Sequence, residues 1–199
     1  MAFNIKQVAG NLIIFGSSTI YKMKIILFAL FAFAVALAGG PPVGENFPAM
    51  RTENLDHKSV SIPNDSKGKP AILVLAYSQQ AEKDLLTWME PAYDRFIAKT
   101  ELMADIQYDI NLYFIPMFTG SRQGLAAGVQ KQMKKDVQDD IQPHILIYKG
   151  EIEPYKSGLK MEDGGKPYIF VLDSSGKIVY VTSGAYTEAK MDEIDDKLD

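Results

Sequence analysis

Seven consecutive uncharged, mostly apolar residues, Ala71-Ile72-Leu73-Val74-Leu75-Ala76-Tyr77, constrain the fold more than any other stretch. A strand with one wet face alternates apolar and polar residues. A run without that alternation predicts a central strand covered on both faces. Gly68-Lys69-Pro70 punctuates its start, and Ser78-Gln79-Gln80-Ala81 turns it into a helix over residues 80–99. Helical spacing sets Leu85, Trp88, Met89, Ala92 and Phe96 on one stripe, with Glu82, Lys83, Asp84, Glu90 and Asp94 on the other face. Pro91 falls inside this pattern. It predicts a kink or two shorter helices, because proline removes a backbone donor and crowds the preceding turn.

The same reading extends along the chain. Residues 58–63 alternate and end in proline, as an edge strand does, and residues 64–70 form a turn cluster. Residues 110–118 predict a second buried strand, with Pro116 near its end. A loop at residues 120–124 leads to a helix over residues 125–137, with Leu125, Val129, Met133 and Val137 on one stripe. Residues 144–148 read as a strand. The polar crossover 149–165 holds a short helix around residues 154–159. Residues 167–173, the turn Ser174-Ser175-Gly176 and residues 177–182 form the clearest hairpin. Thr187 is an N-cap candidate for a last helix reaching about Leu198. This order predicts an α/β domain over residues 58–199, with a mixed central sheet flanked by helices. Residues 39–57 read as linker and N-terminal arm, with Phe47-Pro48-Ala49-Met50 laying an apolar side chain on the domain.

The N-terminal region reads as a targeting segment. Lys22-Met23-Lys24 is a positive n-region, and the apolar run that follows is too short for the ~20 residues that span a bilayer. Ala36-Leu37-Ala38 fits the small-x-small rule of signal peptidase, with cleavage after Ala38. Residues 23–38 are therefore expected to be a signal peptide, and residues 1–22 an upstream extension ahead of a true start at Met23. The mature chain is expected to be periplasmic or secreted, with no membrane span.

Composition removes several functions. The chain of 199 residues has no cysteine, which excludes disulfide scaffolds, thiolate metal sites, thiol catalysis and lipoprotein anchoring. Net charge is −4, and the one lysine cluster, Lys131, Lys134 and Lys135, is diluted by Asp136, Asp139 and Asp140. No nucleic-acid partner is expected. His57 and His144 are too few and too far apart for a metal site; they read as an exposed loop histidine and a hydrogen-bonded strand-end histidine. Asp173-Ser174-Ser175-Gly176 lacks the acidic ligands of a calcium loop. No Gly-rich phosphate loop occurs, so no cofactor is expected. The terminal run Asp192, Glu193, Asp195, Asp196 and Asp199 reads as a solvated helix face.

Three local patterns carry a family likeness. They are Gly68-Lys69-Pro70 before a buried strand that ends at Ser78, Gly165-Lys166-Pro167-Tyr168, and Phe170-Val171-Leu172-Asp173-Ser174-Ser175-Gly176-Lys177-Ile178. In this order the chain from about residue 45 onward resembles the thioredoxin-like superfamily, in its peroxiredoxin-related and periplasmic thiol-oxidoreductase branches. The resemblance implies a thioredoxin-like fold with a peroxiredoxin-type insertion, and a cis-proline loop at Pro167 facing the turn at Ser78. Tyr77-Ser78-Gln79-Gln80-Ala81-Glu82 with Trp88, and Ser183-Gly184-Ala185 after Ile178, is similar to the mitochondrial ATP synthase assembly factor family, whose members act as chaperones. Ser183-Gly184-Ala185-Tyr186-Thr187-Glu188 is also similar to a family of small periplasmic thioredoxin-like proteins. The leader agrees with the second.

Ser78 and Ala81 stand where the superfamily carries its two cysteines. Exchange of disulfides needs a thiolate, which neither supplies, and a serine hydroxyl without a base is a poor nucleophile. Two readings of the turn remain. Ser78 caps the helix, or the turn with Gln79, Gln80, Ala81, Lys166 and Pro167 is a surface that binds an anion, a carboxylate or an extended peptide. The functional expectation is a non-redox binding or assembly module, chaperone-like, with a protein or peptide partner. The alternatives are an enzyme of unrecognised non-thiol chemistry and an interaction domain with a vestigial active site.

Overall fold

The computed structural model describes residues 42–98 and 108–198. The expected signal peptide and the stretch before it lie outside the described residues. Along the chain run β1 (Met50–Asn54), β2 (Ser59–Ile62), β3 (Ala71–Ala76), α1 (Gln79–Phe96), β4 (Asn111–Thr119), α2 (Ala126–Asp136), β5 (Leu146–Gly150), α3 (Glu153–Leu159), β6 (Tyr168–Leu172), β7 (Ile178–Ser183) and α4 (Glu188–Asp195). The strands form one sheet in the order β2-β1-β5-β4-β3-β6-β7. Strands β3, β4 and β5 run parallel, and the other pairings are antiparallel, so the sheet is mixed.

All six residues of β3 are buried, as the uninterrupted apolar run requires. Side chains alternate across a strand. Ile72, Val74 and Ala76 therefore meet one layer, formed by the apolar stripe of α1, Ala126 of α2, and Met191 and Ile194 of α4. Leu73 and Leu75 meet the other, with Tyr155 and Leu159 of α3 and with Phe47, Met50 and Met161. Burying one such aliphatic side chain contributes about 1.5–3 kcal/mol. Between β4 and β6 the chain inserts α2, β5 and α3, and β5 lies on the side of β4 away from β3.

Several local expectations change. Residues 79–96 form one helix with Pro91 inside it, not two. Leu85, Trp88 and Met89 before the proline, and Ala92 and Phe96 after it, are all buried. That shared packing outweighs the lost backbone bond. Pro116 sits well inside β4, not near its end. The β3 ladder stops at Ala76–Pro116, and on the β5 side Pro116 lies between the isolated Phe114–Ile145 bridge and the ladder that starts at Met117–Tyr148, so the missing donor falls in a gap of the pairing. In α2 the buried residues are Ala126 and Gln130, and Leu125, placed on the stripe from spacing, is 57% exposed. Residues 120–125 are not an open loop but a 3₁₀ helix. Met50–Asn54, read as part of the arm, is a strand, with Met50 and Thr52 buried and Arg51 and Glu53 exposed.

The last helix ends at Asp195, short of Leu198. Further local expectations hold. Phe47 is buried and meets the Phe170 ring edge-on at 5.7 Å. At the hairpin, Asp173 Oδ1 accepts from the amides of Ser175 and Lys177, and Gly176 takes φ +90°, a left-handed value that favours glycine. Thr187 caps α4 through Oγ1, which accepts from the Lys190 amide at 3.3 Å. His57 is exposed, and His144 Nδ1 lies 2.9 Å from the Leu112 carbonyl oxygen.

Candidate functional site

The turn at Ser78 lies between the C-terminal end of β3 and the N-terminus of α1. Ser78 has extended backbone angles, φ −139° and ψ 160°, as an N-cap residue requires. Its Oγ accepts from the Ala81 amide at 3.0 Å and donates to the Gly164 carbonyl at 2.5 Å. One hydroxyl thus closes the helix end and ties the loop before β6 to it. Ala81 is fully buried, whereas Gln79 and Gln80 are exposed. The first amides of a helix have no intrahelical acceptor, so the Gln79 and Gln80 amides and carboxamides form the accessible polar surface of the turn.

Residues 160–167 are strapped onto this turn from below. The Tyr77 hydroxyl donates to the Met161 carbonyl at 2.8 Å, and the Asp163 amide donates to the Tyr168 hydroxyl at 2.9 Å. Burial, with Tyr168 and the Asp163 and Glu153 carboxylates nearby, pushes the Tyr77 phenol up to about 12. It is therefore a hydrogen-bond donor at any ordinary pH. A Cβ on Gly164 would come within 3.0 Å of the Tyr77 ring, so glycine is what lets the strap lie flat there. Sequence reasoning missed Tyr77, Asp163 and Gly164; the adjacent glycines Gly164-Gly165 were the available signal.

The loop that carries Lys166 and Pro167 reaches the turn through Gly164, and the polar contacts of Lys166 and Pro167 themselves lie with other residues. Lys166 pairs with Asp163 at 3.6 Å, and its Nζ stands 5.9 Å from the centre of the Tyr168 ring. Pro167 is buried, and its carbonyl accepts from the Gly184 amide at 2.9 Å. The cis peptide among the described residues is Ile62–Pro63, not the bond before Pro167. Gly184 in turn accepts from the Trp88 indole at 2.9 Å, and Trp88 meets Tyr186 edge-on at 5.5 Å. Ser183-Gly184-Ala185 therefore joins the strap to α1.

The first turn of α1 also carries an ion pair. Glu82 in the first turn of α1 takes the position that the helix dipole favours for an anion. Its Oε1 is paired with Arg122 at 2.5 Å, and the Arg122 guanidinium lies 5.3 Å from the Phe118 ring centre. Arg122 Nη1 is buried without a hydrogen-bond partner. His144 is hydrogen-bonded to β4 and stacked edge-on with Tyr93 at 5.6 Å, so it has no part at Ser78. Among the described residues no cluster of acidic, histidine or cysteine side chains could hold a metal ion.

The architecture, with a helix springing from the end of the central strand and a closing β6–β7–α4 unit, has counterparts among solved structures. The C-terminal domain of a candidate thiol-disulfide oxidoreductase from Bacteroides thetaiotaomicron matches at TM-score 0.51 and 14% identity, over 78% of this chain and 95% of that one. A candidate thiol:disulfide interchange protein from Chlorobium tepidum matches at TM-score 0.51 and 13% identity, over 80% of this chain and 100% of that one. The fold is thioredoxin-like. No protein-family model matches the sequence, and no curated protein does. At such identities the likeness shows the fold alone, and the similarity to the ATP synthase assembly factors rests only on the residues quoted for it. Within this thioredoxin-like fold, a capping serine and a buried alanine stand at the turn, in a chain with no cysteine.

Proposed function

We propose that this protein is a non-redox thioredoxin-like module of the cell envelope, which binds a protein or peptide partner at the Ser78 turn rather than catalysing a reaction. The observation that carries this reading is the state of the turn itself. Ser78 Oγ is committed to the Ala81 amide and the Gly164 carbonyl, with no base beside it, while Gln79 and Gln80 offer free donors to solvent. A hydroxyl so engaged, without a base, is a poor nucleophile, and exposed amides at a strand-to-helix turn suit the carbonyls of an extended chain. The assembly or chaperone role extends the same reading: such a surface would hold client backbone without covalent chemistry. The lysine-flanked apolar leader and Ala36-Leu37-Ala38 support an envelope or secreted location.

The double engagement of Ser78 also supports a second reading, an interaction domain whose turn is vestigial. Exchanging Gln79 and Gln80 for tryptophan separates the two, since neither side chain caps the helix. Affinity capture from envelope extract should lose its partner with Gln79→Trp/Gln80→Trp if the turn binds. Equal capture by both forms would assign the partner surface elsewhere. Measurable disulfide reductase or hydrolase activity in the purified chain would overturn the non-enzymatic reading.

A further inference from the structure

Strands β1 and β5 pair over three steps, ending at Thr52–Tyr148. The next residues outward on the two strands, Arg51 and Lys149, both line an open cleft of about 610 Å³. Small-molecule sites typically enclose about 300–1,000 Å³. The start of α2, at Ala126 and Ala127, lines the same cleft.

Of the chain's three arginines, the one without an ion pair among the described residues lines this cleft. Arg95 and Arg122 are both ion-paired. Arg51 has no ion pair or hydrogen bond from its side chain among the described residues, and neither does Lys149. Like charges brought together on neighbouring strands repel, and a sheet normally avoids them or supplies a counter-charge. None comes from α2, whose first turn holds no acidic residue, whereas α1 and α4 carry Glu82 and Glu188 there. Glu53, the carboxylate in the cleft, faces His57 at 3.9 Å. Gln130 is spent on the Asn54 carbonyl at 2.7 Å. On a chain of net charge −4, two cations against the single carboxylate of Glu53 leave this opening with a local excess of positive charge.

We infer that this cleft binds a small organic oxyanion, a carboxylate or a phosphate ester. Arg51 and Lys149 hold the charged group, and the Ala126–Ala127 wall contacts the body of the ligand. Arg51 supplies a planar fork matched to two oxygens, and Lys149 a point charge. The site shares no residue with the Ser78 turn, so its failure would leave the reading of that turn unaffected.

The test uses the full chain in chloride buffer at low ionic strength. Succinate and inorganic phosphate are titrated separately while backbone amide shifts are followed by NMR. Saturable shifts are expected at Gly124, Ala127 and Gly150, and the tighter of the two probes assigns the class. Arg51→Gln/Lys149→Gln should weaken binding about tenfold or more, the scale of a lost charge-assisted contact. Glu53→Gln should tighten it by removing the nearest like charge. Both cations are exposed, so the double variant should keep the wild-type Trp88 fluorescence. Absence of saturable shifts for both probes, binding unchanged in the double variant, or shifts confined to Gln79 and Gln80 would each overturn the proposal.

Discussion

Ser78 shows how one hydroxyl can tie two parts of a fold together. The oxygen accepts from the helix and donates to the strap, so its proton and one of its two lone pairs are engaged within the fold. Ser78→Ala removes the cap and also leaves the Gly164 carbonyl without its donor. A lost cap costs about 1 kcal/mol, and an abandoned, partly buried carbonyl about as much again. Urea unfolding of Ser78→Ala should therefore give a stability lower by about 1–2 kcal/mol, with the dependence on denaturant unchanged. An unaltered midpoint would mean that the two bonds contribute nothing. Gly164→Ala should destabilise through a different cause, the clash of its Cβ with the Tyr77 ring, and Tyr77→Leu should partly rescue it.

Among the elements, those legible in the sequence were the ones that local pattern specifies. The apolar run of β3, the stripe of α1, the Asp173–Gly176 turn and the Thr187 cap each carry their signal within a few residues, and each forms as expected. What the pattern could not show depends on partners far away in the chain. Strand β1 is short and half charged, and it becomes a strand only because β2 and β5 flank it. Pro116 looked terminal because a proline inside a central strand normally breaks a ladder; the gap in the pairing at Pro116 was not visible locally. In the candidate site, the turn was legible, and the resemblance set the loop before β6 opposite it, but the bonds of Tyr77, Asp163 and Gly164 were not, since these residues converge only in the folded chain. The terminal acidic run was read as solvated, yet Arg95 on α1 gathers Asp192 at 2.5 Å, Glu188 at 3.5 Å and Asp195 at 3.7 Å. These pairs are partly exposed and screened, so α4 depends more on its cap and on Met191 and Ile194. Thr187→Ala should lower protection of the α4 amides in hydrogen exchange by about 0.5–2 kcal/mol, whereas Arg95→Gln should change it by less. The reverse ranking would show that charge, not capping, holds the helix.

Over the whole molecule, His144 joins β4, the start of β5 and α1 through its bond to Leu112 and its contact with Tyr93. Burial pulls its pKa below the ordinary histidine value, and the Leu112 carbonyl offsets this only in part. The folded chain thus holds His144 neutral while the unfolded chain protonates it near pH 6.5. Its contribution is present above that pH and is lost as pH falls toward the depressed folded value, because the unfolded state then binds more protons. Urea midpoints should drop as pH falls through about 6.5, the unfolded value, toward the depressed folded one, and His144→Gln should flatten that slope. Parallel profiles would remove His144 as the cause. Asp56 and Asp173 act in the same direction only at lower pH, since their pKa values are already lowered from the usual carboxylate value. The arm ahead of β1 has a mechanical consequence. Gly44 and Glu45 exchange backbone bonds with Ile178, Phe47 donates to the Gly176 carbonyl, and the Phe47 ring is sunk against Phe170. Tension entering the domain at Pro42 meets those bonds first, then the aromatic anchor, and only then β1. The arm would act as a sacrificial fastening, peeling away and re-seating under load while the sheet and its turn stay intact.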